Sequence, residues 1–379
     1  MKKILLLGLI LTTSLMLVVF TKNVKNVKNY KKVNKIENKK IEKKEIIGDF
    51  DKILNEIDQN NIEKNLRYLS SNELEGRMSG KKGNVLAFEF LKKEFEKFGL
   101  QTAYQKFPIE RMNAGPKNEV GDNFTQNLFA WIDGNDSILK NEIIVIGAHG
   151  DHVGCGPKLS LSKEKNKIHH GADDNASGTV AVLELAKIYS KLKNECKRTV
   201  LFQIYSAEEM GLIGSRYYCE NPLFPKESPN IKNHIFMLNL DMIGYLDQGQ
   251  HFALFNQLKS SLDIDDAINE LNQRYDFAQR ITGRVSGASD HASFYNKFVP
   301  VVFLHTGLHE NYHKPSDTYE KINYKGIAQI TKYAFELSWK FVNVENKPRF
   351  NYAKFEELDY NYDHDHPNSP FESNKENKK

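Results

Sequence analysis

With 379 residues, 40% of them hydrophobic, the chain can bury one large core or two modest ones, and three cysteines without a C-x-x-C spacing offer neither a disulfide framework nor a cysteine-built zinc site. The formal charge of +4 is carried by the first stretch: residues 1–47 hold 12 Lys against Glu37, Glu42 and Glu45, so the other 332 residues sum to −5. A mildly acidic body excludes a nucleic-acid groove, which needs basic residues clustered on the folded domain itself.

The chain opens Met1-Lys2-Lys3 and runs apolar over residues 4–20, a charged n-region ahead of a membrane-inserting segment. No small-x-small cleavage site precedes Thr21 and no lipoprotein cysteine is present, so the expectation is an exported protein whose segment stays as a membrane anchor, with a cleaved signal peptide as the alternative. Residues 21–47, rich in Lys and Asn, read as a solvated tether. Residues 48–348 are the expected folded domain and 349–379 a polar, disordered tail.

Within the domain, helical periodicity over 62–69 and 87–98, the latter stopped by Gly99, brackets a polar loop at 70–80. Short alternations at 104–109 and 127–132 suggest outer strands. After residue 142, continuous apolar runs at 143–148, 199–205, 234–240 and 299–305 alternate with helix-periodic stretches at 176–192, 211–220, 261–274 and 325–342. That is the pattern of parallel strands covered on both faces. The predicted fold class is α/β, a three-layer α/β/α sandwich with a mixed, centrally parallel sheet.

In such sheets function collects beyond the carboxyl ends of the strands. The first run leads into His149-Gly-Asp151-His152, the second into Ser206-Ala-Glu208-Glu209, the third into Asp241 and the last, a few residues on, into Tyr312-His313. Between the first two lies Gly171-Ala172-Asp173-Asp174-Asn175-Ala176-Ser177-Gly178, at the mouth of an apolar helix. Two adjacent carboxylates after a buried strand repel unless something positive stands beside them. Histidines and carboxylates converging on one sheet edge make a hard, mixed nitrogen and oxygen site suited to zinc or another divalent metal. Spacing leaves open which of Asp173 and Asp174 is central.

Taken together, Gly-Ala-His149-Gly-Asp151-His, Gly-Ala-Asp-Asp174-Asn-Ala-Ser-Gly, Ala-Glu208-Glu209-Met-Gly-Leu-Ile-Gly-Ser, Asn-Leu-Asp241-Met-Ile-Gly and Tyr312-His313-Lys-Pro-Ser-Asp-Thr resemble the co-catalytic di-zinc exopeptidase family of bacterial leucyl aminopeptidases, glutamate carboxypeptidase and the glutaminyl cyclases, over roughly residues 60–342. The resemblance implies a zinc exopeptidase fold and two zinc ions per chain. It implies that Asp174 bridges them, that His149 and Asp241 complete one site, and that Glu209 and His313 complete the other. It also implies that Asp151 orients His149, that Glu208 is the general base and that Tyr312 polarises the scissile carbonyl. Asp290 and His291, in a segment similar to a family signature near the substrate, are expected to support the site by hydrogen bonds rather than as ligands. His152, His169 and His170 are not assigned as ligands.

The expected function is an exported or membrane-anchored zinc aminopeptidase acting on peptides, with no nucleic-acid partner and no obligate protein partner. Three alternatives stand beside it: a glutaminyl cyclase-like transferase, a carboxypeptidase using Arg280 or Arg284 to hold a terminal carboxylate, and an inactive receptor-like binding ectodomain.

Overall fold

The computed structural model describes residues 52–109, 124–156, 159–164, 166–247, 254–257, 260–275, 279–282 and 287–353. The expected anchor and tether, the tail beyond 353, Arg284 and the side chain of Arg280 lie outside them.

The apolar runs form the middle of an eight-stranded sheet. Its strands are β1 (Gln101–Pro108), β2 (Phe124–Ile132), β3 (Ile143–His149), β4 (Thr199–Tyr205), β5 (His234–Leu240), β6 (Leu254–Gln257), β7 (Gln279–Thr282) and β8 (Val301–His305), ordered β1-β2-β4-β3-β5-β8-β6-β7. The central four, β4-β3-β5-β8, run parallel. β1 and β2 add antiparallel strands on one side, and β6 joins β8 antiparallel on the other, with β7 parallel to it. The last two strands of the sheet, β6 and β7, escape the sequence pattern because four residues each are too few to show a period.

The helices are α1 (Gln59–Leu69), α2 (Lys82–Lys97), α3 (Gly178–Lys191), α4 (Ile213–Glu220), α5 (Leu262–Asn272), α6 (His291–Tyr295) and α7 (Tyr324–Asn343). The two-residue period of a strand divides the buried runs between two faces. Ile143, Val145, Leu201, Tyr205, Met237 and Val301 share one core cluster with Tyr218 of α4 and Phe294 of α6. Residues of the other parity face the opposite layer, where Phe202 packs on Tyr189 of α3 and Phe236 on Phe341 of α7, with ring centroids 5.7 and 5.1 Å apart. Fully burying one such side chain contributes about 1.5–3 kcal/mol, which is why both layers hold without disulfides. Cys155, Cys196 and Cys219 are free thiols.

Residues 349–351 contact the body of the domain. Arg349 bonds Asp263, Asn351 N donates to Ser260 O, and Phe350 packs on Tyr295 at 5.3 Å. No helix of the described residues is long and apolar enough to cross a membrane.

Candidate metal centre

The carboxyl ends of the four parallel strands meet where the chain steps from β3 to β4 on one side and to β5 on the other, the switch point at which such sheets open a crevice. His149 is the last residue of β3 and Asp241 the first after β5. Glu208 and Glu209 follow β4 through Ala207, which turns the chain with a φ of 59°. His313 comes from the loop after β8. All of them converge on Asp174.

Asp174 lies in a single π-helical turn, Ala172–Ser177, where it and Asn175 leave helical backbone angles. The turn is bolted to its surroundings. Asn175 Nδ2 donates to Leu240 O, Gly178 N and Met242 N donate to Asn175 Oδ1, and Ile243 N donates to Ser177 Oγ. Asp317 accepts from the backbone N–H groups of both Asp173 and Asp174. The two aspartates are thereby given different tasks. Asp173 accepts from Gly244 N and pairs with His309 Nε2 at 3.0 Å, so it is spent on structure. Asp174 turns its oxygens outward.

Asp174 Oδ1 is 3.3 Å from His149 Nε2, which is also 3.3 Å from Asp241 Oδ1. Asp174 Oδ2 is 3.1 Å from His313 Nε2, which is 3.0 Å from Glu209 Oε2. His313 Nε2 lacks the alignment of a hydrogen bond to either oxygen, while its Nδ1 is committed to Leu159 O at 3.0 Å, which leaves the Nε2 lone pair for the cluster. Donor atoms about 2.0–2.1 Å from a tetrahedral zinc stand roughly 3.3 Å apart, so both sets have the spacing of ligands around one ion. The donors fit two metals that share Asp174.

The electrostatics point the same way. Burial opposes charge on His149, yet Glu208, Asp241 and Asp174 hold its imidazole well above the usual value, and His313 is pushed up to about 11 against burial by Glu209 and Asp174. Burial alone would raise Asp174, but His149 and His313 bring it well below the usual carboxylate range. The cluster therefore gathers positive charge, and without metal it takes protons instead.

The adjacent glutamates diverge. Glu209 is lowered to about 2, because His313 and His152 overcome its burial and the repulsion of Asp174. Glu208 is raised well above its usual value by burial, with Glu209, Asp290 and Asp241 adding to it. Their surroundings thus shift two adjacent carboxylates in opposite directions. Although Glu208 lies near His149 and Asp241, its Oε2 is 4.0 Å from His149 Nε2, farther than the carboxylates of Asp174 and Asp241. Asp151 Oδ1 accepts from Glu208 N and lies 3.8 Å from His149 Nδ1, linking Glu208 to the histidine.

Tyr312 stacks on the His313 ring at 3.9 Å, and burial among Asp174 and Glu209 raises its phenol so that it stays protonated. Asp290 is fully buried, with its carboxyl raised to about 7 by that burial, and His291 stacks on Phe303 at 4.3 Å. His169 and His170 stay out of the cluster: His169 bonds Gly154 O and Ser160 Oγ, and His170 bonds Ser70 O.

The profile of peptidase family M28 matches residues 127–338. The chain belongs to that family. It is similar to leupeptin-inactivating enzyme 1 of Streptomyces exfoliatus, 29% identical over 246 residues that make up 64% of this chain and 47% of that one. It is also similar to leucine aminopeptidase 2 of Trichophyton rubrum, 28% identical over 236 residues, 55% of this chain and 43% of that one. The chain thus spans just under half the length of these curated relatives. Among solved structures, the LapA aminopeptidase of Legionella pneumophila has a TM-score of 0.61 at 22% identity, with 79% of this chain and 76% of that chain covered. BSAP, a zinc aminopeptidase from Bacillus subtilis, has a TM-score of 0.62 at 16% identity, covering 76% and 96%. Porphyromonas gingivalis glutaminyl cyclase has 0.61 at 15%, covering 75% and 98%. At these identities the likeness is one of fold.

Four supporting residues are given no role in the sequence analysis. Arg77, 1% exposed, donates to the carbonyls of Leu69, Gly150, His170 and Gly171 and so ties the loop after His149 to the loop before Asp174. Asp317 and His309 hold Asp173 and the turn, as described above. The fourth is His152, passed over in favour of His149, whose Nδ1 lies 2.8 Å from Glu209 Oε1.

Proposed function

We propose that the chain is an aminopeptidase that holds two zinc ions and removes N-terminal residues from peptides. The observation that carries this reading is the Asp174 carboxylate, with one oxygen turned to each imidazole and carboxylate pair. His149 and Asp241 would hold one ion, Glu209 and His313 the other, with Asp174 between them. Bound there, zinc supplies Lewis-acid polarisation of a carbonyl and makes a water acidic near neutrality, with a pKa of roughly 7.

The chain's own residues do the rest. Glu208 is buried, avid for a proton and pinned through its backbone to Asp151, so it takes the proton of the attacking water and passes it to the leaving amine. Tyr312, kept protonated, is the donor to the scissile carbonyl oxygen. Asp151 orients His149, and Asp290 and His291 back the site from behind. The names of the leucine aminopeptidase relatives support removal of N-terminal residues over the cyclase and carboxypeptidase alternatives. Export, with residues 4–20 as anchor, is part of the same proposal and rests on the sequence of that segment. Cell fractionation of the full chain tests it, and a cytosolic product would refute it.

Elemental analysis of the purified chain, with hydrolysis of a panel of free and N-blocked aminoacyl peptides, tests the activity. Two zinc ions and cleavage of free N-termini alone are expected. Cyclisation of N-terminal glutamine without hydrolysis would overturn the reading in favour of the cyclase, and a metal-free chain in favour of a binding ectodomain.

A further inference from the structure

Glu209 faces two imidazoles at once. Its Oε2 lies 3.0 Å from His313 Nε2 and its Oε1 lies 2.8 Å from His152 Nδ1. His152 is 1% exposed, and its Nε2 is buried with no hydrogen-bond partner among the described residues. A buried N–H with nothing to accept it is costly, so the single proton of the neutral ring belongs on Nδ1, where a carboxylate accepts it. The 2.8 Å separation is that of a charge-assisted hydrogen bond.

The ring has little freedom to do otherwise. Gly171, with a φ of +58°, lies so close that a Cβ there would stand 2.6 Å from the His152 ring, and His152 N donates to Arg77 O. The ring of His313 meets it edge-on at 5.7 Å.

We infer that His152 is a positioning residue of the His313 half of the centre: its Nδ1–H holds Glu209 Oε1, so that Oε2 alone is presented beside His313 to a divalent cation. A free glutamate can offer a cation either oxygen or both. Occupying one removes that choice, as the partners of metal-binding groups commonly do. His152 itself is the donor in this arrangement and not a ligand.

The inference rests on the two-metal reading, and zinc titration of the full chain against a chromophoric chelator separates the two. The wild-type chain is expected to bind two zinc ions; fewer would remove the two-metal reading and this inference with it. Given two, His152→Leu should weaken one zinc by roughly 10–100-fold and leave the other unchanged. His152→Asn, whose side-chain amide restores a donor near the Nδ1 position, should recover most of that loss. His152→Gln, which carries the donor further out, should behave like the leucine variant and serves in its place if that variant does not fold. Wild-type affinity in His152→Leu or His152→Gln would reduce His152 to packing, and an asparagine variant as weak as leucine would make the ring a ligand. Either result overturns the inference.

Discussion

His149 and Asp241 stand at the ends of β3 and β5, neighbours in the middle of the sheet, and Asp241 N is tied to Leu304 O of β8. Glu209 and His313 stand on loops. Glu209 follows a turn through Ala207, and His313, with a φ of 51°, depends on the 159–161 segment, where Leu159 O accepts from its Nδ1 and Leu161 N donates to its carbonyl. One half of the centre is therefore built from backbone that the sheet holds rigid, the other from loops that must be held by side chains and by each other. Asp174 joins the two, so a change there should affect both halves, while a change in the loops should affect one.

The largest effect is expected at that shared residue. Asp174→Asn keeps shape but removes the charge that faces both imidazoles, and both zinc ions should be lost on dialysis, with activity falling on the order of 10³-fold, the several kcal/mol that metals contribute to such a transition state. Elemental analysis would show it, and a variant retaining one tightly held ion would mean that the halves are independent. Glu208→Gln should instead spare both halves: zinc content unchanged, peptide hydrolysis down roughly 100-fold or more, as for loss of a general base. Full activity in that variant would remove Glu208 from proton transfer.

A third effect is common to the two halves. Glu209 and Asp174 push His313 up to about 11 against burial, so it carries a proton at neutral pH, and Glu208, Asp241 and Asp174 shift His149 in the same direction. Each ring must be neutral to bind zinc. Affinity at the His313 site should therefore rise roughly tenfold per pH unit between about 6 and 8, with about one proton released, and affinity at the His149 site should rise with pH in the same direction. Calorimetric titration in buffers of different ionisation enthalpy measures this release. Heats independent of the buffer would mean that the imidazoles are already neutral before metal arrives.

Residues of both halves can be read from the chain where they follow a buried strand. Buried parallel strands are continuous apolar runs, so the places where the runs stop mark His149, the Glu208-Glu209 pair and Asp241, with His313 a few residues past the last run. The choice between Asp173 and Asp174 is not marked, because it depends on Gly244 N and His309 claiming the first of the pair, contacts made across 71 and 136 residues of chain. Arg77 is hidden for a related reason. It bonds only to main-chain carbonyls, which every residue has, so nothing in the sequence of its partners betrays it. His152 lies one residue from Asp151 in a motif whose first histidine is the expected ligand, and only the fold shows that its ring reaches Glu209. The loops that build the His313 half are positioned by such contacts.

The smallest effect tests that dependence directly. Ser160 Oγ bonds His169 Nε2 at 2.7 Å, and His169 Nδ1 is held by Gly154 O, so one hydroxyl helps to moor the segment whose Leu159 carbonyl fixes His313. Ser160→Ala removes this bond together with the local one that Ser162 N donates to the same Oγ, a net loss on the order of 1 kcal/mol or roughly fivefold, and leaves the side chains of the cluster untouched. If the loop half relies on such moorings, the variant should release one of its two zinc ions about fivefold faster or at a correspondingly lower chelator concentration, while the ion held by His149 and Asp241 is released as before. Equal loosening of both ions would mean that Asp174 transmits disorder from the loops into the sheet, and the two halves would then have to be treated as one unit. No change at all would mean that the hydrogen bonds of His313 to Leu159 and Leu161 hold the segment without help from Ser160.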